Sequence, residues 1–137
     1  MWEGKTTLVT GGAGFIGSNL VKRLLELGAD VRVADDFSRG SEENLRPFMR
    51  RISLLKMDLT KPENCLQSAE GADDIFHLAA TVGGIHYITK ENVGGSTPSL
   101  LMNTNMLEAA RRCDVQRFLF ASSACVYRER SSSMNKF

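Results

Sequence analysis

The 137-residue chain carries 17 Lys+Arg against 16 Asp+Glu, a formal net charge of +1, with 42% hydrophobic and 24% charged residues. That balance excludes a wholly disordered or fibrous chain and leaves no basic excess to drive binding to nucleic acid or to an anionic membrane surface. No apolar run approaches the about 20 residues that span a bilayer. Met1-Trp2-Glu3-Gly4-Lys5 lacks signal-peptide features, and Cys65, Cys113 and Cys125 form neither a disulfide framework nor a CxxC metal pair. The expectation is a single-domain, soluble, cytoplasmic protein with no metal site and no membrane partner.

In chain order, Thr6-Thr7-Leu8-Val9-Thr10 predicts a strand that stops at a glycine-rich turn. The helix after it places Ile16, Leu20, Val21, Leu24 and Leu25 at three- and four-residue intervals, one apolar stripe, and Gly28 ends it. Val31-Arg32-Val33-Ala34 predicts the second strand. Ser41 to Met49 is weakly helical, limited by Pro47. Ile52 to Met57 predicts a third strand, and Thr60 is a candidate cap for a short helix running from Pro62 to about Ala69. Ile75 to Ala80 is apolar enough for a central fourth strand. Thr81 to Ser96 reads as an irregular loop with glycines at 83, 84, 94 and 95. Thr97-Pro98 opens another helix, Thr as cap and Pro first inside, with Leu100, Leu101, Leu107 and Ala110 as its apolar face. Phe118-Leu119-Phe120-Ala121 predicts the fifth strand. Strands alternating with helices give an α/β fold with a parallel sheet. The core-poor stretch 128–137 reads as a polar, mobile tail beyond a domain spanning 1–127.

Chemistry enters at Thr10-Gly11-Gly12-Ala13-Gly14-Phe15-Ile16-Gly17, which holds both GxxGxxG and GxGxxG between a predicted strand and a predicted helix. One glycine permits the tight turn, another lets a pyrophosphate approach the backbone, and Gly17 lets helix and strand pack closely. The amides and positive dipole of the helix start face the phosphates, main-chain groups around Ala13 and Phe15 among them. Asp35 at the end of the second strand suits the adenosine ribose hydroxyls and would repel a 2′-phosphate, which favours NAD over NADP. Arg39 nearby argues partly the other way. Asp36 reads as a solvated loop acid. Asp58-Leu59, after the third strand, could hold an adenine by its exocyclic amine and its ring face, or could simply belong to a turn.

These segments resemble the extended short-chain dehydrogenase/reductase superfamily, the nucleotide-sugar epimerases and dehydratases. The matching blocks are TGGAGFIGS (Thr10 to Ser18), Asp35, MDLT (Met57 to Thr60), HLAA (His77 to Ala80), NxNMLEAAR (Asn103 to Arg111) and RFLFASSACVY (Arg117 to Tyr127), in family order. The resemblance implies a Rossmann-type doubly wound sheet of about five strands in the order 3-2-1-4-5. It also implies NAD across the strand ends and a GDP- or UDP-linked sugar as substrate. HLAATVGG with SSACVY is similar to GDP-mannose 3,5-epimerases. That similarity implies a sugar-binding role for Ser123 and an acid/base role for Cys125, although a lone cysteine is also a common small buried residue.

With the resemblance, Ser122 and Ser123 at a strand end and Gly83 and Gly84 in the glycine loop become candidate substrate contacts, and His86 and Tyr87 could touch substrate too. Ala79 and Ala80 are small enough to let the ribose and nicotinamide lie against the strand end, and Leu78 before them is a further cofactor-binding candidate. His77 reads as a hydrogen-bonded core residue rather than a base. Asn103 and Asn105 are placed to stabilise the region of the fourth and fifth strands.

The superfamily's proton-abstracting Tyr and its Lys, in a YxxxK motif, have no counterpart in this sequence: Glu91 and Ser131 stand four residues after Tyr87 and Tyr127. An unassisted phenol, with a pKa of about 10, is a poor base at neutral pH. The expectation is therefore an N-terminal, cofactor-binding portion truncated before the substrate domain, inactive alone and prone to homo-oligomerise through its exposed sheet edge. A non-catalytic dinucleotide sensor is the alternative. An interaction scaffold with a vestigial pocket is disfavoured by the intact Gly11, Gly14, Gly17 and Asp35.

Overall fold

The computed structural model describes residues 2–81 and 97–122. Gly83, Gly84, His86, Tyr87, Ser123, Cys125, Tyr127 and the polar tail lie outside the described residues. Strands β1 (Thr6–Thr10), β2 (Asp30–Asp35), β3 (Ile52–Lys56), β4 (Asp74–His77) and β5 (Arg117–Phe120) form a parallel sheet in the order β3-β2-β1-β4-β5. Successive crossovers run outward from β1 to one side and then, from β4, to the other. The strand order therefore reverses between β1 and β4, and a crevice opens at their carboxyl ends.

Helices cover both faces. On one face α1 (Phe15–Glu26), with α2 (Glu42–Leu45) and a 3-10 turn (Arg46–Phe48), packs a core of Val9, Val21, Leu24, Val31, Val33 and Leu45. On the other, α3 (Pro62–Ala69) and α4 (Thr97–Arg112) pack a core of Leu8, Leu59, Cys65, Ile75, Met106 and Ala109. Leu8 and Val9 face opposite cores because successive strand residues point to opposite sides. This two-sided burial is why β1 reads as a continuous rather than an alternating apolar run. Burial pushes the Cys65 thiol up to about 12, and it donates to the Leu59 carbonyl at 3.1 Å, so Cys65 is a packing residue.

Several element ends differ from the sequence expectation. Helix α1 ends as predicted at Gly28, with φ +83°. There the Gly28 and Ala29 amides bond the Leu25 and Leu24 carbonyls, a Schellman motif. Its buried stripe, however, runs through Gly17, Ser18, Val21, Leu24 and Leu25, and Ile16 is 70% exposed. Residue 16 sits in the first turn of the helix. Thr60 does not cap α3: the residue before the helix is Lys61, which makes no side-chain cap, and the Thr60 hydroxyl is committed to Asp58.

Of the predicted apolar face of α4, Ala110 is buried as expected and the three leucines are not. Leu100, Leu101 and Leu107 are 64%, 46% and 59% exposed, while Met106, Ala109 and Ala110 are buried. Small alanines and a flexible methionine let α4 approach α3 closely, where Ser68 Oγ lies 3.8 Å from Met106 Sδ. Strand β4 stops at His77 rather than Ala80, for a reason that belongs to the site below.

At the opposite, amino-terminal edge of the sheet, Arg117 forms a bidentate pair with the buried Asp74 at 2.6 and 2.7 Å and covers the Trp2 ring at 4.6 Å. Lys5 and the Thr6 amide hold Asp73. These charge contacts lie at the far end of the strands from the crevice. Among the described residues no helix is long and apolar enough to cross a membrane, and no cluster of His, Cys, Asp and Glu could hold a metal ion.

Candidate functional site

The crevice is a cleft of about 260 Å³ at the carboxyl ends of β1, β2, β3 and β4. Its floor and one end come from the glycine turn. Gly11 has φ +67°, and an added Cβ would lie 2.9 Å from the Ala79 nitrogen. Only a glycine lets β1 turn there while the chain leaving β4 passes against it. Gly17 packs on the turn itself: a Cβ there would run into the Gly11 carbonyl oxygen and sit 2.6 Å from the Gly12 Cα. Gly12 abuts the Val33 side chain.

Of the predicted turn residues, Gly11 and Gly14 line the cleft, while Gly12 and Gly17 are packing positions. Gly14 is the N-cap of α1 and offers no side chain to cap it. The opening amides of a helix have no partner within the helix, so the α1 start presents donors and positive potential at the end of the cleft. Phe15 and Ile16 stand at that start with their side chains 84% and 70% exposed.

Ala13 is placed differently from the expectation. It is buried, and its amide donates to Asp35 Oδ2 at 2.9 Å, so this amide is committed within the protein and does not face a ligand. Asp35 is the last residue of β2, and its other oxygen accepts from the Phe37 amide at 2.8 Å. The carboxylate thus ties the glycine turn to the loop after β2 while lining the cleft. A carboxylate has about four acceptor positions, so two amides leave capacity for a ligand hydroxyl. Phe37 takes φ +60° to deliver its amide, and its ring lies under Lys56 Nζ at 5.4 Å.

Arg39 and Asp36 also line the cleft, Asp36 with Oδ1 accepting from the Ser38 amide and hydroxyl. After β3, next to β2, Asp58 Oδ1 accepts from the Thr60 hydroxyl at 2.7 Å and the Thr60 amide at 2.8 Å. Those two bonds hold its carboxyl below the usual carboxylate range. Leu59 is buried in the α3 core with one side on the cleft. Leu78, Ala79 and Ala80 form the wall opposite Asp35.

The wall has a mechanism. The Thr10 hydroxyl oxygen accepts from the amides of Leu78 and Ala79, each at 3.1 Å. The Leu78 amide is shared between that hydroxyl and the Thr10 carbonyl at 3.2 Å, the last bond of the ladder, and the Ala79 amide goes to the hydroxyl, where β4 has ended. Thr10 Oγ1 lies 2.7 Å from His77 Nδ1, and His77 Nε2 lies 3.0 Å from Asn103 Oδ1 on α4. His77 is therefore a hydrogen-bonded core residue, as the sequence suggests. Asn105 instead reaches the Thr60 carbonyl at 3.0 Å and braces the turn after β3.

Burial holds the His77 imidazole below its ordinary pKa of 6.5. The folded state therefore favours neutral His77. Its contribution to stability is full above pH 6.5 and is lost as pH falls through the lower folded value, because the unfolded chain then binds a proton the folded one resists. The urea midpoint of the wild type is expected to fall relative to His77→Asn between pH 7.5 and pH 5.5. The loss approaches at most about 1.4 kcal/mol per pH unit below 6.5. A constant difference between the two proteins across that range would exclude it.

Sequence reasoning missed Ala34, Ser38, Gly40, Met57, Thr60, Thr81, Pro98 and Met102 as cleft residues, and Asp36, read as a solvated loop acid, also lines the cleft. The glycine of Ser38-Arg39-Gly40 was the available signal: a Cβ at Gly40 would sit 2.6 Å from the Ala13 Cβ, so that loop presses directly on the glycine turn. Pro98 and Met102 come from α4, far away in sequence, and carried none. Ser122 is described and exposed just beyond β5.

An α/β domain with a glycine turn opening a helix at the switch point of its sheet is a Rossmann-type doubly wound domain. The profile of the NAD dependent epimerase/dehydratase family matches residues 7–135, and the chain belongs to that family. It is 37% identical over 121 residues to GDP-mannose 3,5-epimerase 1 of Oryza sativa subsp. japonica, covering 88% of this chain and 31% of the relative. The Thermus thermophilus UDP-glucose 4-epimerase, solved in complex with NAD, superposes with a TM-score of 0.75 at 32% identity, over 86% of this chain and 37% of that one. The Thermotoga maritima UDP-glucose 4-epimerase, solved with UDP-glucose, gives a TM-score of 0.76 at 31% identity, over 86% and 38%. The chain thus spans about a third of the length of the proteins it matches.

Proposed function

We propose that the chain is the NAD-binding portion of a nucleotide-sugar epimerase or dehydratase. The observation that carries this reading is the uncapped start of α1 at Gly14, opening on a cleft whose sides hold the carboxylates of Asp35 and Asp58. The residues fit a dinucleotide. The bare Gly11 and Gly14 and the opening α1 amides suit a diphosphate, and the acceptor capacity of Asp35 suits ribose hydroxyls. Asp58 and Leu59 suit an adenine edge and face, and the small Ala79 and Ala80 leave room for the second ribose and the nicotinamide. NAD, when bound, supplies a reversible hydride acceptor.

The chain's own residues bind and orient. Phe15 and Ile16 donate main-chain amides, Asp35 selects an unphosphorylated ribose, and Arg39 lies at the rim. In the same reading Ser122 and Ser123 bind the sugar, Cys125 moves a proton at a sugar carbon, and Gly83 and Gly84 let their loop approach it. The substrate of the whole enzyme is a GDP- or UDP-linked sugar. Without a YxxxK pair the 137-residue chain binds NAD and turns nothing over. The β5 edge is the surface through which it self-associates.

Calorimetric titration of the chain with NAD and with NADP tests the reading. The expected result is one NAD per chain, with NADP bound about tenfold more weakly or worse, as a carboxylate facing a 2′-phosphate requires. Absence of heat with either nucleotide, confirmed by an unchanged melting temperature, overturns it.

A further inference from the structure

His77 is a buried polar side chain for which the proposed chemistry has no use. Among the described residues, the side chains bonded to it or stacked on it are Thr10 from β1, Asn103 from α4, and the rings of Phe118 and Phe120 from β5, with centroids at 5.9 and 6.1 Å, all uncharged. Its tautomer follows from counting. A hydroxyl oxygen has two lone pairs and one proton. Thr10 Oγ1 already accepts the Ala79 amide and shares the Leu78 amide with the Thr10 carbonyl, which lies at 3.2 Å. Its remaining capacity is to donate, and the group at 2.7 Å is His77 Nδ1. Nδ1 is therefore the bare nitrogen, and the ring proton is on Nε2, pointing at Asn103 Oδ1. A proton on Nδ1 would compete with those amides for the two lone pairs of the hydroxyl and would leave the threonine proton without the acceptor it has at 2.7 Å. A second tie runs parallel to this one, the Thr81 amide donating to Ser99 Oγ of α4 at 3.0 Å.

We propose that His77 is a positioning residue for the cleft: as the neutral Nε2–H tautomer it takes the Thr10 hydroxyl proton and so commits Thr10 Oγ1 to the Leu78 and Ala79 amides, fixing the wall against which the dinucleotide lies. This rests on the dinucleotide reading for its ligand, but the wall itself can be measured without one.

Two variants separate positioning from general packing. In His77→Asn the amide oxygen takes the place of Nδ1 and still accepts from Thr10. In His77→Gln the amide reaches toward the Nε2 position and Asn103, leaving the Thr10 hydroxyl without its acceptor. The intact chain carrying each substitution is titrated with NAD, and amide hydrogen exchange is followed by NMR with Val9 as internal reference for global opening. Affinity is expected to fall about tenfold in the Gln variant, the loss of one hydrogen bond, and to stay within about threefold of wild type in the Asn variant. Ala79 exchange is expected to accelerate relative to Val9 in the Gln variant alone, and Leu78, whose amide also bonds the Thr10 carbonyl, to change less. Equal loss in both variants, exchange that tracks Val9 in both, or nitrogen shifts placing the wild-type ring proton on Nδ1 would overturn the proposal. If the wild type binds no NAD, the dinucleotide reading fails, and the exchange comparison and the nitrogen shifts still decide what His77 does.

Discussion

Gly17→Ala is expected to destabilise the fold by about 2–3 kcal/mol, as overpacking against an unyielding neighbour does. The sign is opposite to helix propensity, because alanine in place of glycine inside a helix normally gains about 1 kcal/mol. At this position the atoms in the way are backbone: the Gly11 carbonyl oxygen and, at 2.6 Å, the Gly12 Cα. A flexible side chain could swing aside, as Val33 could for a larger residue at Gly12, but the turn is held at both ends. The Gly11 amide bonds the Ala34 carbonyl at 2.9 Å and the Gly14 amide bonds the Gly11 carbonyl at 3.1 Å. To admit the methyl group α1 must lift from β1, which loosens Val21 and Leu24 from their core. Urea denaturation followed by far-UV circular dichroism measures the change. A midpoint equal to or above the wild type would mean that helix and turn are not in the close contact described.

That contact is also the part of the molecule most legible in the sequence, since glycine spacing encodes a steric requirement local to eight residues. The sheet order and the two-sided core follow from the same kind of signal, strand-length apolar runs alternating with helical ones. Legibility fails where a competing partner lies far along the chain. Leu78-Ala79-Ala80 looks like strand, yet β4 ends at His77: the Leu78 amide is shared between the Thr10 carbonyl and the Thr10 hydroxyl, and the Ala79 amide goes to the hydroxyl. The leucines of α4 look like its buried face, yet packing distance to α3 is set by the smaller Ala109 and Ala110. Of the cleft residues, Gly11, Gly14, Asp35, Asp58 and Leu59 follow strand ends and could be read, whereas Pro98 and Met102 arrive from a helix that only the completed fold brings near.

Asp35→Ala is expected to act twice, and the two effects can be read separately. The carboxylate holds the buried Ala13 amide at 2.9 Å and the Phe37 amide at 2.8 Å. Removing it strands the Ala13 donor away from water, at a cost of about 1–3 kcal/mol. Asp35→Asn keeps one oxygen but turns an NH2 group toward one of the two amides, so it recovers only part of that loss. The second effect is on the ligand. Hydrogen bonds from ribose hydroxyls to a charged acceptor contribute about 1.5–3 kcal/mol, so NAD affinity is expected to drop tenfold to a hundredfold in the alanine variant. NADP, which the carboxylate repels, should lose little or gain. The quantity that decides is therefore the ratio of NAD to NADP affinity, measured by calorimetry at a temperature where denaturation curves show the variant fully folded. A loosened turn weakens both nucleotides alike, because both share the diphosphate and its seat at the α1 amides. Only loss of a group that faces the ribose moves the ratio. If stability falls as stated while the ratio stays at its wild-type value, Asp35 is a strut between the glycine turn and the loop after β2 and nothing more, and discrimination against the 2′-phosphate must be sought at Asp36 and Arg39.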